Sequence, residues 1–124
     1  MRVLLIEDDA SVRRIVRKML ERGRHDVTEA ENGRIGLDRL SDSVFDLVIT
    51  DIVMPEMDGI EMLIELRKHH PSQRVIAMSG GGRTGNMDLL GSAKKLGACA
   101  VLHKPFTSDV LTTAIAGAGA AVGI

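Results

Sequence analysis

The chain has 124 residues, of which 44% are hydrophobic and 27% charged, with a formal net charge of −1. This length predicts one domain over residues 1–124, and the near-neutral charge gives no indication of nucleic-acid binding. With a single cysteine, Cys99, an internal disulfide is excluded and a reducing compartment is expected. No apolar run is long enough for a signal peptide or a membrane span, so we expect a cytoplasmic protein that binds no membrane.

Five segments of the chain are predicted to be strands. Continuous apolar runs of three or four residues are typical of strands buried on both faces of a parallel sheet. The segment 26–30 alternates apolar and polar residues instead, which indicates a strand at the edge. In chain order the predicted strands are 3–6, 26–30, 47–49, 75–78 and 99–102.

The segments between these strands show the helical period. Ser11 is predicted to cap the first helix and Asp58 the third. Gly23 is predicted to end the first helix and Gly97 the fourth. The last helix is predicted to begin near Thr107 or Ser108. The predicted apolar stripes are Val12, Ile15, Val16, Met19 and Leu20; Ile35, Leu37 and Leu40; Ile60, Leu63, Ile64 and Arg67; Leu89, Leu90, Ala93 and Leu96; and Val110, Leu111, Ala114 and Ile115.

Strict alternation of five strands with five helices predicts an α/β fold. Right-handed crossovers give a doubly wound parallel sheet with helices on both faces. With the second strand at an edge, the favoured strand order is 2-1-3-4-5. A functional crevice is then expected beyond the carboxyl ends of strands 1 and 3.

Polar side chains occupy the ends of four of the predicted strands. They are Glu7-Asp8-Asp9, Asp51, Ser79 and Lys104. Crowded carboxylates favour a hard cation such as Mg²⁺, and with that cation bound one carboxylate can attack a phosphoryl group. An ammonium and a hydroxyl would then contact the transferred oxygens. Each residue alone is more often a plain loop residue, but their joint placement favours the functional interpretation.

Four segments of the sequence resemble the response-regulator receiver domain of two-component signalling. They are Glu7-Asp8-Asp9, Asp51 to Gly59, Met78-Ser79-Gly80 and Lys104-Pro105-Phe106, in the right order over essentially the whole chain. The resemblance implies a flavodoxin-like (βα)5 fold.

The resemblance also implies the role of each site residue. Asp51 would be phosphorylated by a sensor histidine kinase or phosphotransfer protein, and Ser79 and Lys104 would contact the phosphoryl group. Asp9, Gly80, Val101 and Pro105 would be supporting positions. The implied Mg²⁺ ligands are Glu7, Asp8, Asp51 and the backbone carbonyl of Val53.

The sequence departs from the family pattern at several positions. Val101 replaces the usual Tyr or Phe, so a swinging aromatic ring cannot report phosphorylation, and Glu7 replaces the commoner Asp. The glycine-rich segment 80–85 is longer than in chemotaxis-type members. We therefore expect the switch to run through Ser79 and the loop that follows it.

Two surfaces are candidates for partners. The first helix carries Arg13, Arg14, Arg17 and Lys18 off its apolar stripe, which is either a solvated basic face or a docking face for the kinase. The face made by the fourth helix, fifth strand and last helix would bind a downstream protein or form a homodimer.

Two other functions stay open from the sequence. The chain could be the receiver half of a longer DNA-binding regulator, although no nucleic acid is expected to bind this domain itself. A Mg²⁺-dependent aspartyl-phosphate phosphatase would need a second acid two residues after Asp51, where Val53 stands. We therefore expect no enzyme activity beyond acceptance and loss of the phosphoryl group.

Overall fold

All five predicted strands pair in parallel, in the order β2-β1-β3-β4-β5 that the sequence predicted. The structure is a computed structural model, and it describes residues 1–52, 59–80 and 94–122. The elements are β1 (Arg2–Ile6), α1 (Ala10–Arg22), β2 (Asp26–Ala30), α2 (Gly33–Asp42), β3 (Leu47–Asp51), α3 (Gly59–His69), β4 (Val75–Gly80), β5 (Ala100–Lys104) and α4 (Ser108–Val122).

Helices cover both faces of the sheet and enclose two apolar cores. Side chains alternate between the faces along each strand, so β1 sends Leu4 and Ile6 into the core below α2 and α3. It sends Val3 and Leu5 into the core below α1 and α4. All four side chains are fully buried, and each stabilises the fold by about 1.5–3 kcal/mol.

Three apolar positions that the helical period assigned to the core lie at the surface instead. Ile15, Ile64 and Val110 are 54%, 43% and 46% exposed. On α3 the buried positions include Met62 and Leu66, because the face that meets the sheet is rotated from the predicted stripe. The prediction was therefore right about the three helices that carry these residues and wrong about the residues themselves.

The helix ends follow the sequence only in part. Asp9, not the predicted Ser11, caps α1: its Oδ1 accepts hydrogen bonds from the Ser11 N–H (2.8 Å) and the Val12 N–H (3.2 Å). Both residue types cap helices well, and the helix begins two residues earlier than predicted. Gly23 closes α1 as predicted.

The predicted fourth helix falls mostly outside the described residues, as does the predicted cap Asp58. Lys94 and Lys95 are helical. Gly97 follows with φ +93°, a conformation that glycine adopts without strain, in agreement with its predicted role. No helix in the described ranges is long and apolar enough to cross a membrane.

Candidate functional site

The carboxyl ends of β1 and β3 bring two acidic side chains into the interior. Register pairs Ile6 with Thr50, so Glu7, which follows β1, and Asp51, the last residue of β3, reach the same edge of the sheet. The backbone N–H of Glu7 donates to the Ala30 carbonyl at 3.0 Å. Glu7 is fully buried and Asp51 is 4% exposed. Buried carboxylates are costly unless positive charge is close.

Lys104, at the end of β5, supplies positive charge to both carboxylates. Its Nζ lies 2.7 Å from Glu7 Oε1 and 3.4 Å from Asp51 Oδ2. The Lys104 side chain is only 15% exposed, so water screens these interactions weakly. The structure thus brings together three residues that lie far apart in the sequence.

This environment changes the proton affinity of Glu7 and Lys104. Burial, reinforced by the Asp51 charge, raises the pKa of Glu7 to about 7 against the lowering effect of the Lys104 hydrogen bond. Burial acts to lower the pKa of Lys104, but the hydrogen bond with Glu7 and the charge of Asp51 outweigh it and raise that pKa. Lys104 therefore stays charged. Ionisation of Glu7, by contrast, costs free energy because its carboxylate is buried beside that of Asp51.

Asp8 adds a third carboxylate to this group. It is exposed, and its ligand oxygen lies within 4.8 Å of those of Glu7 and Asp51. Among the described residues, three carboxylates face one ammonium, which leaves an excess of negative charge. Carboxylate oxygens are the ligands that Mg²⁺ prefers. The donor set therefore fits a divalent cation with room for water and phosphate oxygens.

The other predicted site residues are placed as follows. Ser79, on β4, is 1% exposed, and within the described part of the chain nothing forms a hydrogen bond with its Oγ. Gly80 pairs with Lys104, and the Lys104–Pro105 peptide bond is cis. Val101 is half-buried against the core below α2 and α3. Val53 and the glycine-rich segment from residue 81 onward lie outside the described residues.

Arg13 and Glu29 lie close to the site, and the sequence did not predict this position for either of them. Arg13 donates from Nη1 to the Glu7 carbonyl oxygen at 2.7 Å and from Nε to Glu29 Oε1 at 2.9 Å. Glu29 also accepts from Arg17. Arg13 and Arg17 are therefore not part of a freely solvated basic face, which leaves Arg14 and Lys18 as its exposed members. The sequence signal that could have indicated the position of Glu29 was strand register, which places Glu29 opposite Leu5.

Comparison with known proteins places this site in a family. Residues 3–116 match the model of the response regulator receiver domain. The chain is 42% identical over 79 residues to the response regulator receiver protein CpdR of Brucella abortus (strain 2308), covering 64% of this chain and 66% of that protein. It is 35% identical over 115 residues to the chemotaxis protein CheY of Bacillus subtilis (strain 168), covering 92% and 93%.

A solved structure shows the same architecture. The response regulator receiver domain protein of Clostridium thermocellum superimposes with a TM-score of 0.86 at 32% identity, covering 94% of this chain and 92% of that one. Other curated relatives are longer, and the chain spans 24% and 29% of two of them. From the matched residues and the shared fold, the chain belongs to the response regulator receiver domain family, the phosphorylation-dependent switches of two-component signalling.

Proposed function

We propose that Asp51 accepts a phosphoryl group from a histidine kinase or phosphotransfer protein and that the modified domain changes its binding surface for a downstream protein. The observation that supports this most directly is the setting of the Asp51 carboxylate. It is buried at the end of the central strand β3, 3.4 Å from the Lys104 ammonium, and grouped with two other carboxylates.

The hydrogen bonds of Glu7 argue against this residue as the nucleophile. Glu7 Oε1 accepts from Lys104 at 2.7 Å, and Glu7 Oε2 accepts from the Asp9 N–H at 3.2 Å. Both oxygens of Glu7 are thus held by donors, which lowers their reactivity. Asp51 lies farther from the ammonium, at 3.4 Å.

In the proposed step an Asp51 oxygen forms a bond to phosphorus. The bond between phosphorus and the donor imidazole nitrogen breaks, and the imidazole leaves with the electron pair and takes up a proton. Lys104 and the buried Ser79 hydroxyl then donate to phosphoryl oxygens. Mg²⁺ would reduce the repulsion between the acids and the phosphoryl group, with Glu7, Asp8, Asp51 and the Val53 carbonyl as its proposed ligands.

An apolar groove beside Lys104 is the proposed docking site for the phosphodonor. It has a volume of about 410 Å³ and is lined by Val12, Ile15, Val16, Met19, Lys104, Pro105 and Phe106. Ile15, at 54% exposure, is an apolar anchor, and the exposed cations Arg14 and Lys18 flank it on α1. This pattern fits an amphipathic helix with acidic residues along its edge.

The groove is tested with Ile15→Asp. Phosphotransfer from the cognate kinase, found by profiling purified kinases of the same organism, should fall at least tenfold, since a charge replaces the apolar anchor. Labelling by acetyl phosphate should not change, because a small donor needs no docking surface. Val44→Asp, at an apolar residue with 80% exposure outside the groove, is the control. Equal loss in both variants would contradict the assignment.

The surface around β5 and α4 would bind the downstream protein or a second copy of the chain, and the helix predicted before β5 lies mostly outside the described residues. Whether that output is DNA regulation by a longer protein depends on the full gene. The cytoplasmic location and the lack of binding to nucleic acid or membrane stay predictions from the sequence.

Intact mass after incubation with Mg²⁺ and acetyl phosphate tests the assignment of Asp51. One phosphoryl group should be added to the wild-type chain and to Asp38→Asn, an exposed acid on α2, and none to Asp51→Asn. Label that persists in Asp51→Asn would rule out the assignment. Continuous hydrolysis of unrelated phosphate esters would instead favour a phosphatase.

A further inference from the structure

A hydrogen-bonded pair of side chains links α1 and β2 to the backbone that joins Glu7 to Asp8. Arg13, on the first turns of α1, reaches back over the end of β1, where its Nη1 donates to the Glu7 carbonyl oxygen at 2.7 Å. Its Nε donates to Glu29 Oε1, on β2, at 2.9 Å. One guanidinium thus connects the helix, the edge strand and the loop that carries the acids.

This contact fixes the peptide plane that precedes Asp8. The Glu7 N–H donates to Ala30 of β2 at 3.0 Å, while Arg13 holds the carbonyl on the other side of the residue. Because the peptide group is planar, fixing the Glu7 carbonyl also fixes the Cα of Asp8. On the far side, Asp9 is held as the cap of α1.

Asp8 depends on this backbone for its position. Its side chain is exposed, and among the described residues none is hydrogen-bonded to it or paired with it. By contrast, Lys104 holds the Glu7 carboxylate directly at 2.7 Å. The oxygen that Asp8 offers to a cation is therefore placed by the backbone alone.

The Glu29 carboxylate that holds Arg13 is itself held by a second arginine. Glu29 accepts from Arg17 as well as from Arg13, and Arg17 also contacts Glu21 at 3.1 Å. Burial acts to raise the pKa of Glu29, but the hydrogen bonds from the two arginines outweigh it and lower that pKa. Glu29 thus stays ionised at neutral pH and keeps the Arg13 guanidinium in one orientation.

We infer that Arg13 is a positioning residue for the divalent-cation site, acting through the Glu7 carbonyl to place the Asp8 carboxylate. The inference rests on the proposed Mg²⁺ site at Glu7, Asp8 and Asp51. Removing a cation near three carboxylates would by electrostatics alone tighten Mg²⁺ binding. Loss of positioning weakens it, so the two effects have opposite signs.

The test is the Mg²⁺ dissociation constant, measured by titration calorimetry in the absence of any phosphodonor. Arg13→Gln should raise it about tenfold, the scale of groups that orient metal ligands. Arg22→Gln is the control, because Arg22 is an exposed cation on the same helix and, among the described residues, forms no hydrogen bond with Glu29 or with the Glu7 carbonyl. It should leave the constant within about twofold, or lower it, since it only removes charge.

A second variant covers the case in which Arg13→Gln does not fold. Arg13→Lys keeps the charge but cannot donate to both acceptors at once, and it should raise the dissociation constant about threefold. An unchanged or lower constant in the Arg13 variants, or an equal rise in Arg22→Gln, overturns the inference. If wild-type protein binds no Mg²⁺, the proposed cation site fails instead.

Discussion

The two ends of the sheet surround charged side chains in opposite ways. At the amino end, Arg67 on the last turn of α3 donates to four backbone carbonyls. These belong to Leu96 (2.8 Å), Gly97 (3.0 Å), Pro71 (3.1 Å) and Gln73 (2.7 Å). Fixed dipoles satisfy this one cation, and it ties the turn before β5 to the loop before β4.

At the carboxyl end, the side chains of the described residues do not balance one another's charge. Glu7, Asp8 and Asp51 face one ammonium, and the pKa of Glu7 is raised to about 7 mainly by burial. The amino end is thus built for stability, whereas the carboxyl end keeps a deficit of positive charge that a divalent cation can fill. Measurements of the free energy of unfolding with and without Mg²⁺ distinguish the contributions of the two ends. Unfolding is best followed by far-UV circular dichroism, because the chain has no Trp or Tyr.

The largest effect is expected from Lys104→Met. This change leaves Glu7 and Asp51 buried without their shared cation, so the free energy of unfolding at pH 8 in EDTA should fall by about 3 kcal/mol. Saturating Mg²⁺ should recover part of that loss, because it places new positive charge beside the acids. Lys18→Met, at an exposed lysine on α1, should change little. A loss that Mg²⁺ does not reduce would contradict the view of a charge deficit.

The second effect is the pH dependence that Glu7 imposes. The folded protein holds a proton on Glu7 up to about pH 7, whereas the unfolded chain loses it near pH 4.5. In EDTA, this group should therefore lower the free energy of unfolding by up to about 3 kcal/mol as pH rises through that window. Urea titrations between pH 4 and 8 should show the fall in the wild type and its absence in Glu7→Gln.

Glu29 provides the control of opposite sign for this pH experiment. Although burial acts to raise its pKa, Arg17 and Arg13 lower it below 4.5, so its contribution is present above pH 4.5 and is lost as pH falls. Glu29→Gln should thus cost stability at pH 7 and little at the acid end. A Glu7→Gln profile that keeps the wild-type fall would show that another group titrates there.

Much of the fold was predictable because its signals are local. The strands 3–6 and 47–49 are continuous apolar runs, and β2, with bounds 26–30 as predicted, alternates as an edge strand does. The meeting of Glu7 with Asp51 followed from strand order, since parallel strands present their carboxyl ends on one side.

The contacts of the arginines were not predictable in this way. Arg13 and Arg67 bind carbonyl oxygens, and every residue has a carbonyl, so no sequence pattern marks the acceptor. The helical period likewise gave Ile15 to the core, because it does not fix how a helix is rotated against the sheet. The structure places this residue in the groove beside Lys104 instead.

Arg67→Met should give the smallest of the three effects. The carbonyls it leaves are partly exposed, so water replaces several of the lost hydrogen bonds, and the free energy of unfolding should fall by about 1–2 kcal/mol. Because no excess charge is involved, the loss should be the same at pH 5 and pH 8 and with or without Mg²⁺.

Lys68→Met is the matched control, since Lys68 is the neighbouring cation on α3. In the part of the chain that the structure describes, its one polar partner is Glu65, at 3.4 Å and largely in solvent. It should change the free energy of unfolding by less than about 0.5 kcal/mol. If Mg²⁺ restored the stability of Arg67→Met, the two ends of the sheet would be energetically coupled. The amino end would then belong to the switch itself, and its separation from the acidic site would be wrong.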